Sequence, residues 1–213
     1  MSSEHHDINL AQTMFDEFSF DKLLARYPGT STVRAGICLV VDSYLLLVRE
    51  RGGPNANIGP PKGLAESQDV SALGTAIREF REETGIRLNL SKLSGRRYRH
   101  SPIQYKLLPK AFCCQNDRHN ELSVYFIVAA SSRPVIKIDH KEIGAYMWYD
   151  MSNGLKKKLS ECSEPTKLLF TEFDDTVAYQ RWQNVFKNSP TKEPRISQME
   201  LEQRIVAAFI NHH

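Results

Sequence analysis

The sequence predicts an α/β fold, a sandwich of helices around a mixed sheet. Apolar runs typical of buried strands lie on both sides of one amphipathic helix, and helical spacing returns after residue 165. With 213 residues, 41% hydrophobic and 25% charged, the chain has ordinary globular proportions and enough length to bury a core. We expect an N-terminal helical extension (1–32), a central domain (33–188) and a C-terminal helix (189–213).

Each predicted element rests on its apolar spacing and on the turn residues that bound it. The predicted strands are 33–41, 44–49, 104–114, 122–129 and 145–149. The predicted helices are 9–26, 69–84, 165–186 and 199–210. A short turn at Asp42-Ser43 makes the first two strands a hairpin, 51–63 is a loop rich in Gly, Pro and Asn, and Gly85 fits the C′ cap of the second helix.

Cysteine usage and the N-terminus bear on the cellular setting. The four cysteines show no CxxC spacing, and the adjacent Cys113 and Cys114 would not readily pair with each other. We therefore expect a reduced, cytoplasmic setting. The first residues show no basic segment followed by an apolar core, and no apolar run approaches the ~20 residues that cross a membrane, so we expect neither a signal peptide nor a membrane partner.

The most informative stretch is 78–86, Arg-Glu-Phe-Arg-Glu-Glu-Thr-Gly-Ile. At about 100° per residue, Glu79, Glu82 and Glu83 fall within roughly a third of a helix circumference. Carboxylates this close repel one another unless a cation lies between them. Arg78, four residues before Glu82, neutralises part of the charge. A hard divalent cation would neutralise more, and oxygen ligands suit Mg²⁺ or Mn²⁺.

A Glu-rich helix alone is usually a solvated face, but the loop ahead of this one adds information. Residues 59–63, Gly-Pro-Pro-Lys-Gly, lead into the acidic helix. Together the two segments resemble the Nudix hydrolases, whose signature is G-x5-E-x7-R-E-U-x-E-E-x-G-U with U a bulky aliphatic residue. The second half matches from Arg78 to Ile86, with Phe80 at the first U position. The resemblance covers about residues 33–185 and implies the Nudix α/β/α sandwich with added terminal helices.

The first half of the signature departs from the pattern. Counting back from Arg78, Val70 and Leu64 stand where the signature has its first glutamate and glycine. Gly63 is one residue early, so the loop is one residue longer than usual. Asp69 would supply the acid if the extra residue lies between it and Arg78. In the family that acid mostly shapes the loop.

The resemblance implies metal-dependent hydrolysis of a phosphoanhydride bond. Bound metal masks the charge of the phosphate, lowers the pKa of water and stabilises the leaving group. Arg78 would organise the acids. The implied ligands of Mg²⁺ or Mn²⁺ are the carbonyl of Gly63 and the carboxylates of Glu79, Glu82 and Glu83.

The reaction also needs a general base, and the sequence leaves three candidates. One is Glu83 itself. The others come from the downstream half: Glu121 opens a strong strand, and Glu142 precedes a segment that resembles the late E…W segment of the family. The ordinary explanation for either downstream acid is a solvated loop residue.

A basic segment bears on the substrate. Residues 92–118 contain seven Lys or Arg against the single acid Asp117, with two tyrosines interleaved. Such a segment suits a long polyanion such as RNA, with tyrosines stacking on bases, although a solvated basic face explains it equally well. A net charge of only +3 argues against strong nonspecific nucleic-acid binding. The candidate substrate-binding residues are Lys62, Arg96, Arg97, Tyr98, Arg99 and Tyr105.

The leading hypothesis is cleavage of the 5′ cap pyrophosphate of mRNA, with release of a nucleoside diphosphate. It rests on a resemblance of 76–85 to mRNA-decapping Nudix enzymes, including those of large DNA viruses. ADP-ribose or dinucleoside-polyphosphate hydrolysis is the alternative, because Pro60-Pro61-Lys62-Gly63 resembles the latter enzymes. Pro102, sixteen residues past Ile86, fits a marker of ADP-ribose pyrophosphatases that baculovirus homologues also carry.

A different class of function is a Nudix-fold protein that binds nucleotides, RNA or partners without cutting. The altered first half of the signature favours this reading. The three retained glutamates argue against it, because a binding protein has little need for crowded acids. The terminal helices would cap the domain, form a homodimer contact or build part of a binding groove, and the sequence does not decide among these.

Overall fold

The computed structural model describes residues 3–52, 57–93, 103–116, 118–151 and 166–167, with side chains from residue 10 onward. Two helices come first, α1 (Ser3–Glu17) and α2 (Phe20–Arg26). The remaining elements of the described part are β1 (Thr32–Val41), β2 (Tyr44–Glu50), β3 (Ile58–Gly59), β4 (Lys62–Leu64), α3 (Ala72–Thr84), β5 (Tyr105–Asn116), β6 (Glu121–Ala130) and β7 (Ile143–Asp150).

The strands form one mixed sheet with the order β3-β2-β1-β6-β5, in which β4 also pairs with β1 and β7 with β2. β1 and β6 run parallel, with Val33 opposite Leu122, whereas the other strand pairs of the described chain are antiparallel. β1 is apolar at nearly every position because both of its faces are covered. The predicted α/β fold around a mixed sheet is confirmed.

Alternate residues of β1 and β6 supply two cores. On one face, α1 and α3 pack on the sheet, and Phe80 of α3 and Phe126 of β6 are fully buried there. On the other face, Cys38, Tyr125 and Ile127 belong to a smaller cluster. The sheet therefore holds α3 on its larger core face.

α3 forms because its ends are capped and one of its stripes is apolar. The Ser71 hydroxyl accepts a hydrogen bond from the Gly74 N–H at 3.1 Å. Gly85 ends the helix at φ 72°, a left-handed conformation that favours glycine, and its N–H donates to the Arg81 carbonyl at 2.8 Å. The predicted start at residue 69 is wrong, because Ser71 takes the capping position and 69–70 precede the helix.

The loop predicted over 51–63 contains two short strands that the sequence did not indicate. β1 and β2 pair only beside their turn, with Val41 opposite Tyr44, and then diverge. The gap is filled by β3, which pairs with β2, and by β4, which places Gly63 opposite Ala35. This insertion carries Lys62 and Gly63 to the side of the sheet where α3 packs.

The structure tests the predictions for the terminal helices only in part, because it describes few residues after 151. The N-terminal helical segment is confirmed, as two helices that begin earlier than predicted. Of the helices predicted from residue 165 onward, only Thr166 and Lys167 are described, and both are helical. The predicted helix over 199–210 lies outside the described residues. Among the described helices, none has the length and apolar character needed to cross a membrane.

Candidate active site

The loop before α3 touches the acidic helix at Gly63. A Cβ atom at this position would lie 2.0 Å from the carboxyl carbon of Glu79, so any larger residue would collide with it. Glycine lets the Glu79 carboxylate lie directly against the backbone, and a larger residue would displace that carboxylate. This contact brings the backbone of β4 and the first glutamate of the acidic helix into one place.

Arg78 connects most of the acids around this contact. Its Nη1 lies 2.8 Å from Oε1 of Glu79 and 3.0 Å from Oε2 of Glu82. Its Nη2 donates to the Leu64 carbonyl at 2.8 Å and to Oδ2 of Asp69 at 2.9 Å. These hydrogen bonds, led by the one to Asp69, hold the pKa of the guanidinium above its ordinary value. The geometry agrees with Arg78 as the organiser of the acids.

Asp69 closes the loop between β4 and α3. Its carboxylate accepts hydrogen bonds from the Thr75 hydroxyl and the Glu66 N–H, each at 3.0 Å, as well as from Arg78. Burial pushes the Asp69 pKa upward, but these hydrogen bonds outweigh it and hold the pKa below its usual value. Asp69 follows Gly63 at the signature spacing, which puts the one additional residue between Asp69 and Arg78. Val70, directly after Asp69, is 65% exposed.

Glu79 and Glu83 are the buried acids of the site. Glu83 is 6% exposed, and burial raises its pKa to about 8, with the charges of Glu79 and Glu50 adding to the effect. The Lys62 N–H donates to Oε2 of Glu83 at 3.1 Å and offsets only part of this cost. Burial likewise raises the pKa of Glu79, against the charge of Arg78. Both carboxylates therefore gain from a further cation.

Glu50, at the end of β2, is a site residue that the sequence analysis missed. Its Oε1 lies 3.0 Å from the Nζ of Lys62, whose side chain is only 12% exposed. The Glu50 charge also acts on Glu83. The signal in the sequence is weak: a carboxylate ends an apolar strand and enters a Gly- and Pro-rich loop.

The two downstream acids have different surroundings. The Glu142 carbonyl accepts from the Arg51 N–H at 2.7 Å, and the Glu142 charge contributes to the raised pKa of Glu79. Glu142 is thus brought to the site. Glu121 instead lies 3.0 Å from Nε of Arg34, and strand alternation puts it on the sheet face away from α3. The structure does not bring Glu121 to the other acids.

Among the predicted substrate-binding residues, Lys62 lies at the site and Tyr105 does not. Tyr105 is 7% exposed within the larger core, and burial raises its pKa to about 12. Its predicted stacking on a base is therefore wrong, because no face of the ring is open. The remaining predicted residues lie outside the described residues: Arg96, Arg97, Tyr98 and Arg99.

The acids have the ligand chemistry that a hard divalent cation prefers, but their side chains are not yet arranged around one point. Within the described residues, no three His, Cys, Asp or Glu side chains already surround one point. Arg78 bridges Glu79 and Glu82 instead. The donors are oxygens, the buried acids have raised pKa values, and Glu82 is 51% exposed at its side chain and able to turn. These properties suit Mg²⁺ or Mn²⁺.

A comparison with protein-family models matches residues 30–169 to the NUDIX domain. The chain belongs to the NUDIX domain family. It is a Nudix pyrophosphohydrolase, and Nudix hydrolases in general depend on a divalent metal. A comparison with curated protein sequences finds no match.

Solved structures of Nudix enzymes share the fold. A C. elegans Ap4A hydrolase in a binary complex is 16% identical, covers 68% of this chain and 98% of its own, and has a TM-score of 0.51. A bifunctional NMN adenylyltransferase/ADP ribose pyrophosphatase from Francisella tularensis, complexed with AMP and a Mn ion, is 19% identical with a TM-score of 0.52. It covers 78% of this chain, which spans about half (47%) of that longer structure.

Proposed function

We propose that this Nudix pyrophosphohydrolase cleaves the pyrophosphate of a small dinucleotide such as ADP-ribose or a dinucleoside polyphosphate, with Mg²⁺ or Mn²⁺ held by Glu79, Glu82, Glu83 and the Gly63 carbonyl. The observation that carries the proposal is the crowding of buried, cation-seeking carboxylates against the Gly63 backbone. Such crowding costs stability unless a cation serves it.

Support for a small substrate comes from three sides. The Pro60-Pro61-Lys62-Gly63 segment resembles dinucleoside-polyphosphate hydrolases. The two structures compared above are an Ap4A hydrolase and a protein that includes an ADP ribose pyrophosphatase. Burial of Tyr105 removes one of the two tyrosines that favoured a long RNA.

The side chains have separate tasks in the proposed reaction. When bound, the divalent cation supplies charge neutralisation at phosphate oxygens and makes an attacking water more acidic. Lys62, held beside the acids by Glu50 at 3.0 Å, binds a substrate phosphate. Arg78 fixes the rotamers of Glu79 and Glu82 and keeps their mutual repulsion low.

Glu142 and Glu83 are the proposed acceptors of the water proton. Glu83 is buried among the acids, and the charge of Glu142 acts on Glu79. A base must lie within hydrogen-bond reach of the attacking water, directly or through one further water. Glu121 is a weaker candidate, because it lies on the sheet face away from α3.

A hydrolysis panel with Mn²⁺ tests the proposal. It contains ADP-ribose, diadenosine polyphosphates, free cap dinucleotide and cap-labelled RNA at matched concentration. We expect turnover of a small dinucleotide, a loss of about 10³-fold or more in Glu83→Gln, and a loss of about 10²-fold or more in Glu142→Gln if that residue is the base. Mn²⁺ binding by wild type and Glu83→Gln is measured alongside by electron paramagnetic resonance.

Glu121→Gln is the matched control, since it makes the same chemical change at an acid paired with Arg34. It should retain wild-type turnover within about twofold. Unchanged activity in Glu83→Gln would refute the metal assignment. Equal losses in Glu121→Gln and Glu142→Gln would show that the carboxylates act through folding rather than chemistry.

Capped RNA is the second candidate, favoured by the seven basic residues between 92 and 118. On this alternative, charge reversal of Arg96, Arg97 and Arg99 weakens long RNA far more than small dinucleotides. Preference for capped RNA over free cap dinucleotide in the same panel would replace the small-substrate proposal with mRNA decapping. Equal effects of charge reversal on both substrates would reject the RNA groove.

A further inference from the structure

The connection between the N-terminal helices α1 and α2 contacts the start of α3. These helices and their connection (3–27, the N-terminal arm) precede the segment that matches the family model, which begins at residue 30. The contact is a two-sided one between backbones: Ser19 and Ser71 form an antiparallel bridge, and the Ala72 N–H donates to the Phe18 carbonyl at 2.9 Å. An N–H of the first helical turn, which has no partner within its helix, is thus satisfied by the arm.

The arm is anchored firmly enough to hold this contact. Leu23 is fully buried, and Met14 and Phe18 also belong to the larger core. The Phe18 ring packs edge-to-face on Phe126 of β6, with ring centroids 5.1 Å apart. Phe18 therefore links the central strand β6 to the start of α3 through its ring on one side and its carbonyl on the other.

The contact point leads directly to the acids. Ser71 is the N-cap of α3, and the Thr75 hydroxyl, one turn later, donates to Asp69 at 3.0 Å. Asp69 in turn holds Arg78, which orients Glu79 and Glu82. A displacement of the first residues of α3 would therefore be transmitted to the carboxylates of Glu79 and Glu82 through Asp69 and Arg78.

The arm meets the chain where the signature loop is irregular. The interval between Asp69 and Arg78 is one residue longer than in the signature, and the bridge residue Ser71 lies within it, after the exposed Val70. An inserted residue gives the loop more conformations, so fixing its end requires added contacts. The bridge from Ser19 supplies them at the next residue.

We infer that the N-terminal arm is part of the active-site support, with Phe18 and Ser19 as positioning residues that fix the start of α3 and compensate for the longer signature loop. This inference rests on the proposed function of the acids as metal ligands. It assigns the arm a task in metal binding and turnover that is separate from its share in stability.

The substitution Ala72→Pro tests the inference. Ala72 is the first helical residue, where proline is tolerated, and Ser71 has the extended backbone (φ −152°, ψ 156°) that proline requires before it. The change removes the N–H and puts a ring carbon against the Phe18 carbonyl, so the arm must separate from α3. We expect the Mn²⁺ concentration for half-maximal activity to rise about tenfold or more and kcat to fall about tenfold or more.

Two matched variants separate positioning from stability. Ala72→Gly keeps the N–H, so its half-maximal Mn²⁺ concentration should stay within about twofold of the wild-type value. Leu23→Ala opens a cavity in the arm and should lower the Tm, yet should leave the half-maximal Mn²⁺ concentration within about twofold at temperatures well below that Tm. Thermal unfolding of each variant shows which are folded under the assay conditions.

Hydrogen exchange gives a readout that does not depend on activity. In metal-free protein, the amides of 69–78 should exchange about tenfold faster in Ala72→Pro than in wild type or Ala72→Gly. An unchanged exchange rate together with an unchanged Mn²⁺ midpoint would overturn the inference, as would a midpoint shift in Leu23→Ala equal to that in Ala72→Pro. If wild type neither binds Mn²⁺ nor hydrolyses any substrate, the proposed function fails, while the exchange comparison still tests the arm.

Discussion

Asp69 and Glu83 are both acids of the signature segment. Glu83 is a buried residue, whereas Asp69 as a whole is half-buried, although little of its side chain is open to solvent. Their pKa values move in opposite directions. The pKa of Asp69 stays below its usual value because donors from Arg78, Thr75 and the backbone outweigh burial. Burial dominates at Glu83, whose neighbours include other carboxylates, and raises its pKa to about 8.

The comparison separates an acid that closes the loop from an acid that we propose to be catalytic. The directions are opposite because Glu83 is the more deeply buried acid and because the hydrogen-bond donors and nearby charges differ. Asp69 is already compensated by protein groups, so it has no need of a metal and serves to close the loop. Glu83 has only the Lys62 N–H and Lys62 charge in its favour, so its ionised form gains most from a cation.

The largest effect should come from Arg78→Ala, because it removes the group that compensates Asp69 and Glu79 together. Leaving buried carboxylates unpaired costs about 3–5 kcal/mol of unfolding free energy. Urea unfolding measures the loss, and turnover should vanish with it. Arg78→Lys retains the charge without the planar fork and should recover only part of both. Wild-type stability of Arg78→Ala would contradict the conclusion that Arg78 compensates the charges of Asp69 and Glu79.

A smaller effect should appear in the pH dependence of stability. In metal-free protein, folded Glu83 keeps its proton up to about pH 8, whereas the carboxyl of the unfolded chain loses it near its ordinary value of 4.5. The folded state binds more protons across this window, so the unfolding free energy falls as pH rises from 4.5 to 8, by on the order of a few kcal/mol.

Urea unfolding in EDTA at pH 5 and pH 8.5 checks this expectation. Glu83→Gln has no proton to lose and should show a shallower fall than wild type between the two values. Added Mg²⁺ at pH 8.5 should raise the Tm of wild type and leave that of Glu83→Gln nearly unchanged. Parallel pH curves for the two proteins would rule out Glu83 as the group responsible.

Asp69→Asn should have a moderate effect. The neutral amide keeps part of the hydrogen bonding but leaves Arg78 without its main charged partner, at a cost of about 1–3 kcal/mol. The pKa of wild-type Asp69 is lowered, so its contribution to the unfolding free energy is lost as the pH falls. Asp69→Asn should not show this pH dependence. Because Asp69 is not a proposed metal ligand, the Mn²⁺ affinity should fall less in Asp69→Asn than in Glu83→Gln. The reverse order of affinities would invalidate the contrast between the two acids.

The smallest effect should come from Val70→Ser, at the exposed residue between Asp69 and Ser71. Its side chain is 65% exposed, so the change should alter stability by no more than about 0.5 kcal/mol. Thermal unfolding and steady-state kinetics measure it beside Asp69→Asn. A large loss would mean that Val70 makes a contact on which the loop depends.

Much of the fold was predictable from the sequence because its signals are local. Apolar strands around a short turn and a capped amphipathic helix are set by neighbours along the chain. The start of α3 was predicted three residues early because Asp69 has the composition of a helix start, while the capping is done by Ser71. The strands within 57–64 escaped prediction because their pairing partners lie far away in sequence.

By itself, the sequence contained the acidic segment 78–86 and its resemblance to the family signature, and the helical spacing of the carboxylates favoured a divalent cation. Only the tertiary structure decided which acid is compensated and which is not. It placed Glu50 beside Lys62, separated Glu121 from the site, buried Tyr105 and joined the N-terminal arm to Ala72. The physical reason is that burial and charge pairing depend on residues brought together from distant parts of the chain.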